Sequence, residues 1–213
     1  MAPINISVLL SGGGSNFEAL ANAIRYRSIP AQITQVIASR PTAQGLERAQ
    51  RQHISARAFP EQGPGSPEKE AALLMNWLQE TETDLVVLAG YLRKVPDPVV
   101  HHYSHRILNV HPSLIPAFSG PGWYGMNVHR AAWQRGVKVT GATVHFVNEQ
   151  RDAGPIVLQE PVRIGDSDGP KDIQQKVLEV EHRLLPEAVA LFTAGKLRVD
   201  GHRVIIDEEV NEE

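Results

Sequence analysis

The chain has 213 residues, of which 42% are hydrophobic and 21% charged, and its formal net charge at pH 7 is −3. This composition is ordinary for a soluble globular protein, and the acidic balance argues against a nucleic-acid binder that relies on a basic face. The sequence contains no cysteine, which excludes disulfides, thiolate metal sites and a cysteine nucleophile.

The N-terminal sequence MAPINISVLLSGGG lacks the basic start and long apolar core of a signal peptide. No apolar stretch approaches the roughly 18–20 residues that are needed to span a bilayer. We therefore expect a cytoplasmic protein of one domain, a monomer or homodimer, with neither nucleic-acid nor membrane partners.

The first half of the chain alternates apolar runs with segments of helical periodicity. Strands are predicted at 4–11, 33–39, 56–60, 84–90 and 105–111, and helices at 16–26, 42–53 and 70–80, the last opened by a turn-rich loop at 63–69. Strands that alternate with helices at this spacing indicate a parallel, doubly wound sheet. Near-continuous apolar strands are expected when helices cover both faces.

The pattern changes after Val137. Two apolar runs, 138–147 and 154–164, are joined by too few residues for a helix, so we expect them to pair antiparallel. A long helix from Pro170 to about Gly195 follows, then a hairpin with Asp200-Gly201 as its turn and a polar tail. The predicted fold class is therefore α/β, with a doubly wound, mostly parallel sheet and antiparallel strands toward the C-terminus.

The sequence SGGGSN, residues 11–16, joins the first predicted strand to the first helix. Glycine N–H groups at the positive end of a helix favour a phosphate. A dinucleotide motif would need a glycine in place of Phe17, and a P-loop would need a Lys-Ser/Thr pair. The second strand ends in Ser39-Arg40, without an acidic residue for a ribose diol. Because Ser15 and Asn16 supply a hydroxyl, an amide and N-cap chemistry, we predict a site for a monophosphate-sized anion.

A second constellation lies in ILNVHPSLIP. Asn109 and His111 are two residues apart at the end of a predicted strand, so both side chains point to the same side. A lone histidine beside a proline is commonly structural, but an amide donor next to it makes a plausible oxyanion site for acyl transfer. Asp152, in the connection between the antiparallel strands, is the candidate carboxylate that keeps the imidazole protonated and oriented. The alternative for Asp152 is an ordinary turn aspartate.

Other histidines give weaker signals. His101, His102 and His105 lack the glutamate of an HExxH motif, so a solvated helix is expected there and no metal site. His145 alternates into a strand and either supports the site or belongs to the core. Without cysteine and without a G-x-S-x-G elbow we find no covalent nucleophile, so the attacking group belongs to a substrate.

Six segments, read together, support a resemblance. They are VLLSGGGSNFEAL, GLERA, DLVVLAGYLRKV, ILNVHPSLIPAF, GATVHFVNEQRDAGPIVLQ and EHRLLPEAV. In this order the chain, from about Ile6 to Leu197, resembles the phosphoribosylglycinamide formyltransferase family of purine synthesis. The resemblance implies a Rossmann-like fold with a phosphate-binding half at about 1–105 and a catalytic and folate-binding half at about 106–213. It also implies transfer of a formyl group from the co-substrate 10-formyltetrahydrofolate to the amine of glycinamide ribonucleotide, without a metal.

The resemblance also assigns residues. Asn109, His111 and Asp152 match the catalytic trio of the family. The positions that match the ribonucleotide site are Gly14, Ser15, Asn16, Pro112 and Glu181, the last accepting from a ribose hydroxyl. The positions that match the folate site are Lys69, Leu92, Arg93, Lys94, Val95, Asn109, Asn148, Glu149 and Asp152, with Lys69 and Arg93 near the glutamate tail.

Three features depart from the family pattern. Gly13 stands where some relatives have asparagine, and Lys94 replaces a common apolar residue beside the pterin, so it must point to solvent or reshape that wall. The segment 119–131 is longer than in the shortest relatives. We expect a mobile lid there, in which Trp123-Tyr124 cap the substrate and Gly120, Gly122 and Gly125 act as hinges, which limited proteolysis with and without ligands would test.

The resemblance leaves other functions open. A formyltetrahydrofolate deformylase would use water as the acceptor, and a methionyl-tRNA formyltransferase would use a charged tRNA, but both families carry a further domain. A non-catalytic nucleotide-binding protein on the same fold is the alternative from another class. An NAD(P)-dependent oxidoreductase is disfavoured by Phe17 in the glycine motif.

Overall fold

The structure is a computed structural model that describes residues 3–63 and 65–207. Its strands are β1 (Ile4–Leu10), β2 (Ala31–Ala38), β3 (Ser55–Ala58), β4 (Leu85–Leu88), β5 (Ile107–His111), β6 (Val139–Phe146), β7 (Ile156–Arg163), β8 (Leu197–Asp200) and β9 (Arg203–Ile206). Its helices are α1 (Ser15–Tyr26), α2 (Gly45–Arg51), α3 (Pro67–Glu80), α4 (Asp97–His102), α5 (Met126–Arg135) and α6 (Pro170–Thr193). Within these described residues no helix is long and apolar enough to cross a lipid bilayer.

The described strands form one nine-stranded sheet in the order β3-β2-β1-β4-β5-β6-β7-β9-β8. The first five strands of the chain pair in parallel, and both faces of this part are covered, by α1 and α6 on one face and by α3 and α4 on the other. Leu20 and Val177 belong to one buried cluster, and Leu74 and Val99 to the other. The predicted fold class is confirmed, because strands buried on both faces are the apolar runs that the sequence showed.

The chain reverses its direction of winding beside β1. Strand β2 pairs with one edge of β1 and β4 with the other, so the connections that follow β1 and β4 diverge to opposite faces. In open α/β sheets this switch point opens a crevice at the carboxyl ends of the strands. The glycine loop 11–14 and residues 89–91 meet in that crevice.

Beyond β5 the strand pairs are antiparallel except for β7 with β9, which is parallel. Strand β6 pairs antiparallel with both β5 and β7, with Asn109 opposite His145 and His111 opposite Thr143. The antiparallel pair expected at 138–147 and 154–164 is confirmed. The polar tail, residues 208–213, lies outside the described residues.

Several local predictions were wrong. The helix expected at 42–53 covers only Gly45–Arg51, because His53 has a φ of 58° and cannot continue it. The hairpin turn is Gly201-His202 rather than Asp200-Gly201, since Asp200 still pairs with Arg203.

The helix expected across residues 101–105 ends at His102. His105 has a φ of 54°, so His101 and His105 do not share one helical face.

Helix α5 was not expected. Its first residues fall within 119–131, the segment interpreted as a loop. The helix forms because Val128 and Ala132 are both buried one turn apart, and it ends at Gly136 in the left-handed conformation. The lid remains a prediction, restricted to the residues that precede Met126.

Gly141 provides a test of the packing between β6 and β7. A Cβ atom at this position would lie 2.1 Å from the carbonyl oxygen of Glu160 and 2.7 Å from Cδ2 of Leu114. We expect Gly141→Ala to lower the free energy of unfolding in urea by about 1–3 kcal/mol, because backbone must move to admit the methyl group. Gly12→Ala is the control, since nothing lies within 4 Å of a Cβ there. Equal stability of the two variants would contradict the close approach of the strands.

Candidate active site

The structure brings the three predicted catalytic residues together. Asn109 and His111 lie at the end of β5, and Asp152 lies in the connection between β6 and β7. All three line one cavity of about 430 Å³ at the switch point of the sheet. The alternation of the strand explains the pair on β5, because residues two apart point to the same face.

Both ring nitrogens of His111 face oxygen atoms. Nε2 lies 2.9 Å from the carbonyl oxygen of Phe118, so Nε2 carries a hydrogen and donates it. Nδ1 lies 3.6 Å from Oδ2 of Asp152, and the side chains of His111 and Asp152 are only 5% and 10% exposed. A second proton on the ring, carried by Nδ1, would therefore face the buried carboxylate of Asp152 rather than water.

The backbone fixes Asp152 in this place. Its φ is 55°, a left-handed conformation that aspartate tolerates better than most residues. Its Oδ2 accepts a hydrogen bond of 2.9 Å from the backbone N–H of Gly120, and its Oδ1 lies 3.8 Å from Nε2 of His145. The carboxylate thus stands between two imidazoles, and Gly120 links it to the segment that follows Phe118.

His145 supports the amide of Asn109. Nδ1 of His145 donates to the carbonyl oxygen of Phe146 at 2.7 Å, and burial lowers the pKa of His145, so the ring is neutral and its Nε2 is an acceptor. Nδ2 of Asn109 lies 3.0 Å from this atom and donates to it. One N–H of Asn109 is thereby used to orient the amide, and the other remains for a ligand.

The glycine loop and the start of α1 form the other end of the cavity. Gly12, Gly13, Gly14, Ser15 and Asn16 all line it. The N-cap predicted from Ser15 and Asn16 is wrong: the helix begins at Ser15, its N-cap is Gly14 with a φ of 77°, and no side chain caps it. Gly14 also allows close packing, because a Cβ there would lie 2.9 Å from Cα of Gly45.

Asn16 and Glu181 form a buried pair beside this loop. Nδ2 of Asn16 donates to Oε2 of Glu181 at 2.6 Å, and both residues are 7% exposed and line the cavity, as does Pro112. Oδ1 of Asn16 is buried without a partner among the described residues. Burial raises the pKa of Glu181 to about 7, and the Asn16 hydrogen bond opposes this only in part. The pair therefore presents one buried acceptor, Oδ1 of Asn16, that lacks a donor.

Among the cavity residues that the sequence analysis did not assign are Arg40 and His129. Arg40 lines the cavity beside the glycine loop, and its Nε donates to the carbonyl oxygen of Ser11 at 3.2 Å. A basic residue at the end of the strand next to β1 was the available signal. His129 of α5 is buried against the same cavity, and desolvation, with a smaller contribution from His111, lowers its pKa to about 4. It was missed because α5 was not expected.

A second, smaller cavity of about 60 Å³ adjoins the first. Of the residues predicted to bind folate, those that line it are Arg93, Lys94, Val95, Asn109, Asn148, Glu149 and Asp152. Leu92 lines the larger cavity instead, and Lys69 lines neither. Asn109 and Asp152 line both cavities, so the two spaces meet at the catalytic candidates. In the described ranges no group of three His, Asp or Glu side chains could hold a metal ion.

Comparison with known proteins identifies a family that the chain matches. The Formyl transferase family matches residues 4–189. Phosphoribosylglycinamide formyltransferase from Bacillus subtilis is 37% identical over 86% of the chain and 91% of its own length. The trifunctional purine biosynthetic protein adenosine-3 from Gallus gallus is 37% identical over 92% of the chain, which spans only 19% of that protein.

Two solved structures show the same fold. Glycinamide ribonucleotide transformylase 1 from Symbiobacterium toebii is 42% identical, with a TM-score of 0.90 over 97% of this chain and 95% of that one. A formyltetrahydrofolate deformylase from Pseudomonas syringae is 25% identical, with a TM-score of 0.86 over 97% of this chain and 66% of that one.

The buried carboxyl of Glu181 generates a prediction about stability. Its pKa is 4.5 as a free group and about 7 in the folded chain, so the unfolded chain ionises it first as the pH rises. The neutral Glu181 carboxyl stabilises the folded chain. This stabilisation is complete below pH 4.5 and is lost as the pH rises through 7, which changes the free energy of unfolding by an amount on the order of 3 kcal/mol.

We expect Glu181→Gln to gain stability relative to the parent chain as the pH rises from 4.5 to 8, measured by urea unfolding at each pH. The exposed Glu187→Gln on the same helix is the control and should show no such trend. A stability difference between Glu181→Gln and the parent that is independent of pH would refute the assignment.

Proposed function

The chain belongs to the formyl transferase family, and we propose that it transfers the formyl group of 10-formyltetrahydrofolate to the amine of N1-(5-phosphoribosyl)glycinamide in purine biosynthesis. The products are formylglycinamide ribonucleotide and tetrahydrofolate. The cytoplasmic location, the single domain and the monomeric or homodimeric state expected from the sequence belong to the same proposal.

One observation carries the proposal: two cavities meet at Asn109 and Asp152. A direct transfer between two substrates requires that the amine and the formyl carbon be held within reach of each other. A hydrolase would need only one organic substrate, and its larger cavity would have no use for a glycine loop. A binding protein would have no use for the polar trio between the two spaces.

The larger cavity suits a ribose phosphate. The N–H groups at the start of α1 and the guanidinium of Arg40 offer donors and charge to a phosphate. Farther along the wall, Oδ1 of Asn16 and the carboxyl of Glu181 are acceptors, which suits the hydroxyl groups of a ribose. In this proposal Gly14 and Ser15 contact the phosphate, Asn16 and Glu181 contact the sugar, and Pro112 packs beside it.

The side chains that line the smaller cavity suit the pterin of the folate, although its volume of about 60 Å³ requires the wall to open for the ring to enter. Its wall combines apolar side chains, among them Leu88 and Val147, with the amide of Asn148 and the carboxylate of Asp152. A flat heterocycle with ring nitrogens needs such a mixture of apolar surface and a few fixed polar groups. The bound folate supplies the formyl group, and the protein supplies its position.

The trio stabilises the charge that develops during transfer. A bond from the substrate amine to the formyl carbon forms, the bond from that carbon to the folate nitrogen breaks, and the formyl oxygen carries negative charge in between. His111 and the free N–H of Asn109 donate to this oxygen, which requires that Nε2 of His111 exchange the carbonyl of Phe118 for it. Asp152 balances the imidazolium and, through water, passes the proton of the amine to the leaving nitrogen.

The first test is an assay of His111→Ala. We expect turnover of 10-formyltetrahydrofolate, followed by folate absorbance, to require the ribonucleotide and to fall by about 10²–10³-fold in the variant, since an oxyanion donor is lost. His102→Ala, an exposed histidine of α4, is the control and should keep full activity. Release of formate without the ribonucleotide would indicate a deformylase instead. Phosphate binding without any turnover would indicate a nucleotide-binding protein.

The proposed role of Arg40 in binding the phosphate is tested by measuring the KM for the ribonucleotide. We expect Arg40→Gln to raise this KM by about 10–100-fold with little change in kcat or in the KM for folate, because a charge-assisted hydrogen bond to the phosphate is lost. Arg51→Gln is the matched control, since its Nε also contacts a backbone carbonyl but lies outside the cavity. An unchanged KM in Arg40→Gln would remove Arg40 from the phosphate site.

A further inference from the structure

A third cavity continues the folate site away from the catalytic trio. It has a volume of about 440 Å³, lies between the N-terminal ends of α3 and α4, and shares Arg93 and Lys94 with the smaller cavity. Its wall contains neither Asn109 nor Asp152. The smaller cavity therefore lies between the ribonucleotide site on one side and this groove on the other. We call it the α3–α4 groove.

The cations of the α3–α4 groove are already paired within the chain. Nη2 of Arg93 lies 2.5 Å from Oε2 of Glu70, and the guanidinium carbon lies 5.2 Å above the ring of Phe59. Nζ of Lys94 lies 2.6 Å from Oδ1 of Asp97. Lys94 therefore turns to the surface, which is how the chain accommodates a basic residue at this position.

The charged side chains that line the α3–α4 groove sum to a net negative charge. Its wall holds three carboxylates, Glu68, Glu70 and Asp97, against the two paired cations, which leaves one negative charge. The third expected cation, Lys69, does not line the groove. An anion that enters must therefore compete with carboxylates that are part of the protein.

Of these carboxylates, Glu70 is the hardest for an incoming anion to displace. Its side chain is only 13% exposed, whereas that of Arg93 is 32% exposed, so the carboxylate is the buried partner. Its Oε1 and the hydroxyl of Tyr91 are both buried without hydrogen-bond partners in the part of the chain that is described. Burial, helped by the charge of Glu70, raises the pKa of Tyr91, so the hydroxyl stays neutral. Releasing Arg93 would leave a buried carboxylate without any partner, which strongly favours the existing pair.

We propose, on the basis of the proposed function, that Glu70 and Asp97 make this chain insensitive to the length of the glutamate tail of its folate. Each γ-linked glutamate adds one carboxylate to the tail, and the groove that the tail enters has no unpaired cation in its described wall to receive it. A monoglutamyl formyl folate therefore binds as well as a polyglutamyl one. Glu70 acts as a specificity residue that withholds Arg93 from the substrate.

The test compares KM values for monoglutamyl and triglutamyl 10-formyltetrahydrofolate at low salt. In the parent chain we expect the two KM values to agree within about twofold. In Glu70→Gln the triglutamyl KM should fall about tenfold below the monoglutamyl KM, because Arg93 is freed for a charge-assisted hydrogen bond. This gain should shrink at high salt.

The matched control is Glu80→Gln, which breaks the ion pair of Glu80 with Arg57 at the other end of α3 and leaves the groove intact. It should keep the ratio of the parent chain. Asp97→Asn, at an exposed ion pair, is the second variant if Glu70→Gln does not fold, and it should shift the ratio in the same direction by freeing Lys94.

A parent chain that binds the triglutamyl folate tenfold more tightly would overturn the proposal, as would an unchanged ratio in both groove variants. Absence of turnover with the monoglutamyl folate in the parent chain would instead count against the proposed function. The two failures are therefore distinct.

Discussion

The antiparallel pairing of β5 with β6 is the constraint on which the candidate site depends. It sets Asn109 directly opposite His145, and directly opposed residues of neighbouring strands are close enough for their side chains to bond. Strand β6 ends with Phe146 opposite Leu108, near the start of β5, and the connection from β6 to β7 that begins there brings Asp152 to within 3.6 Å of His111.

The site is built from groups whose burial costs free energy. A carboxylate lies between two buried imidazoles, a second carboxyl is kept neutral up to about pH 7, and the oxygen of Asn16 and Nδ1 of His129 are buried without partners among the described residues. Most core positions elsewhere are filled by apolar side chains, with a few buried polar residues such as Ser7 and Gln35. Unsatisfied polar atoms in the wall of the larger cavity, on Asn16, Tyr91 and His129, suit a polar ligand, which offsets the cost on binding.

The sequence predicted those parts of the site that depend on local pattern. Asn109 and His111 could be placed because alternation within one strand fixes their common face, and the glycine loop could be placed because it follows an apolar strand. Arg40 was missed although it directly follows the second predicted strand, and helix α5 could not be placed, since its burial depends on elements that are distant in the chain. The N-cap was wrong for the same reason: Asn16 bonds to Glu181, which is 165 positions away, in preference to its own helix end. Local propensity gives way wherever a tertiary partner offers a stronger bond.

The contact between His111 and Phe118 determines whether Nε2 of His111 is available to a formyl oxygen. With Nε2 bonded to a backbone carbonyl, the imidazole is satisfied but does not offer this hydrogen to a formyl oxygen. The carbonyl belongs to the segment that also holds Asp152 through Gly120 and carries Trp123 into the wall of the larger cavity. Because Trp123 lines the larger cavity, a ligand there contacts the same segment that bonds His111 and Asp152, so the acceptor site and the oxyanion donors are parts of one connected structure.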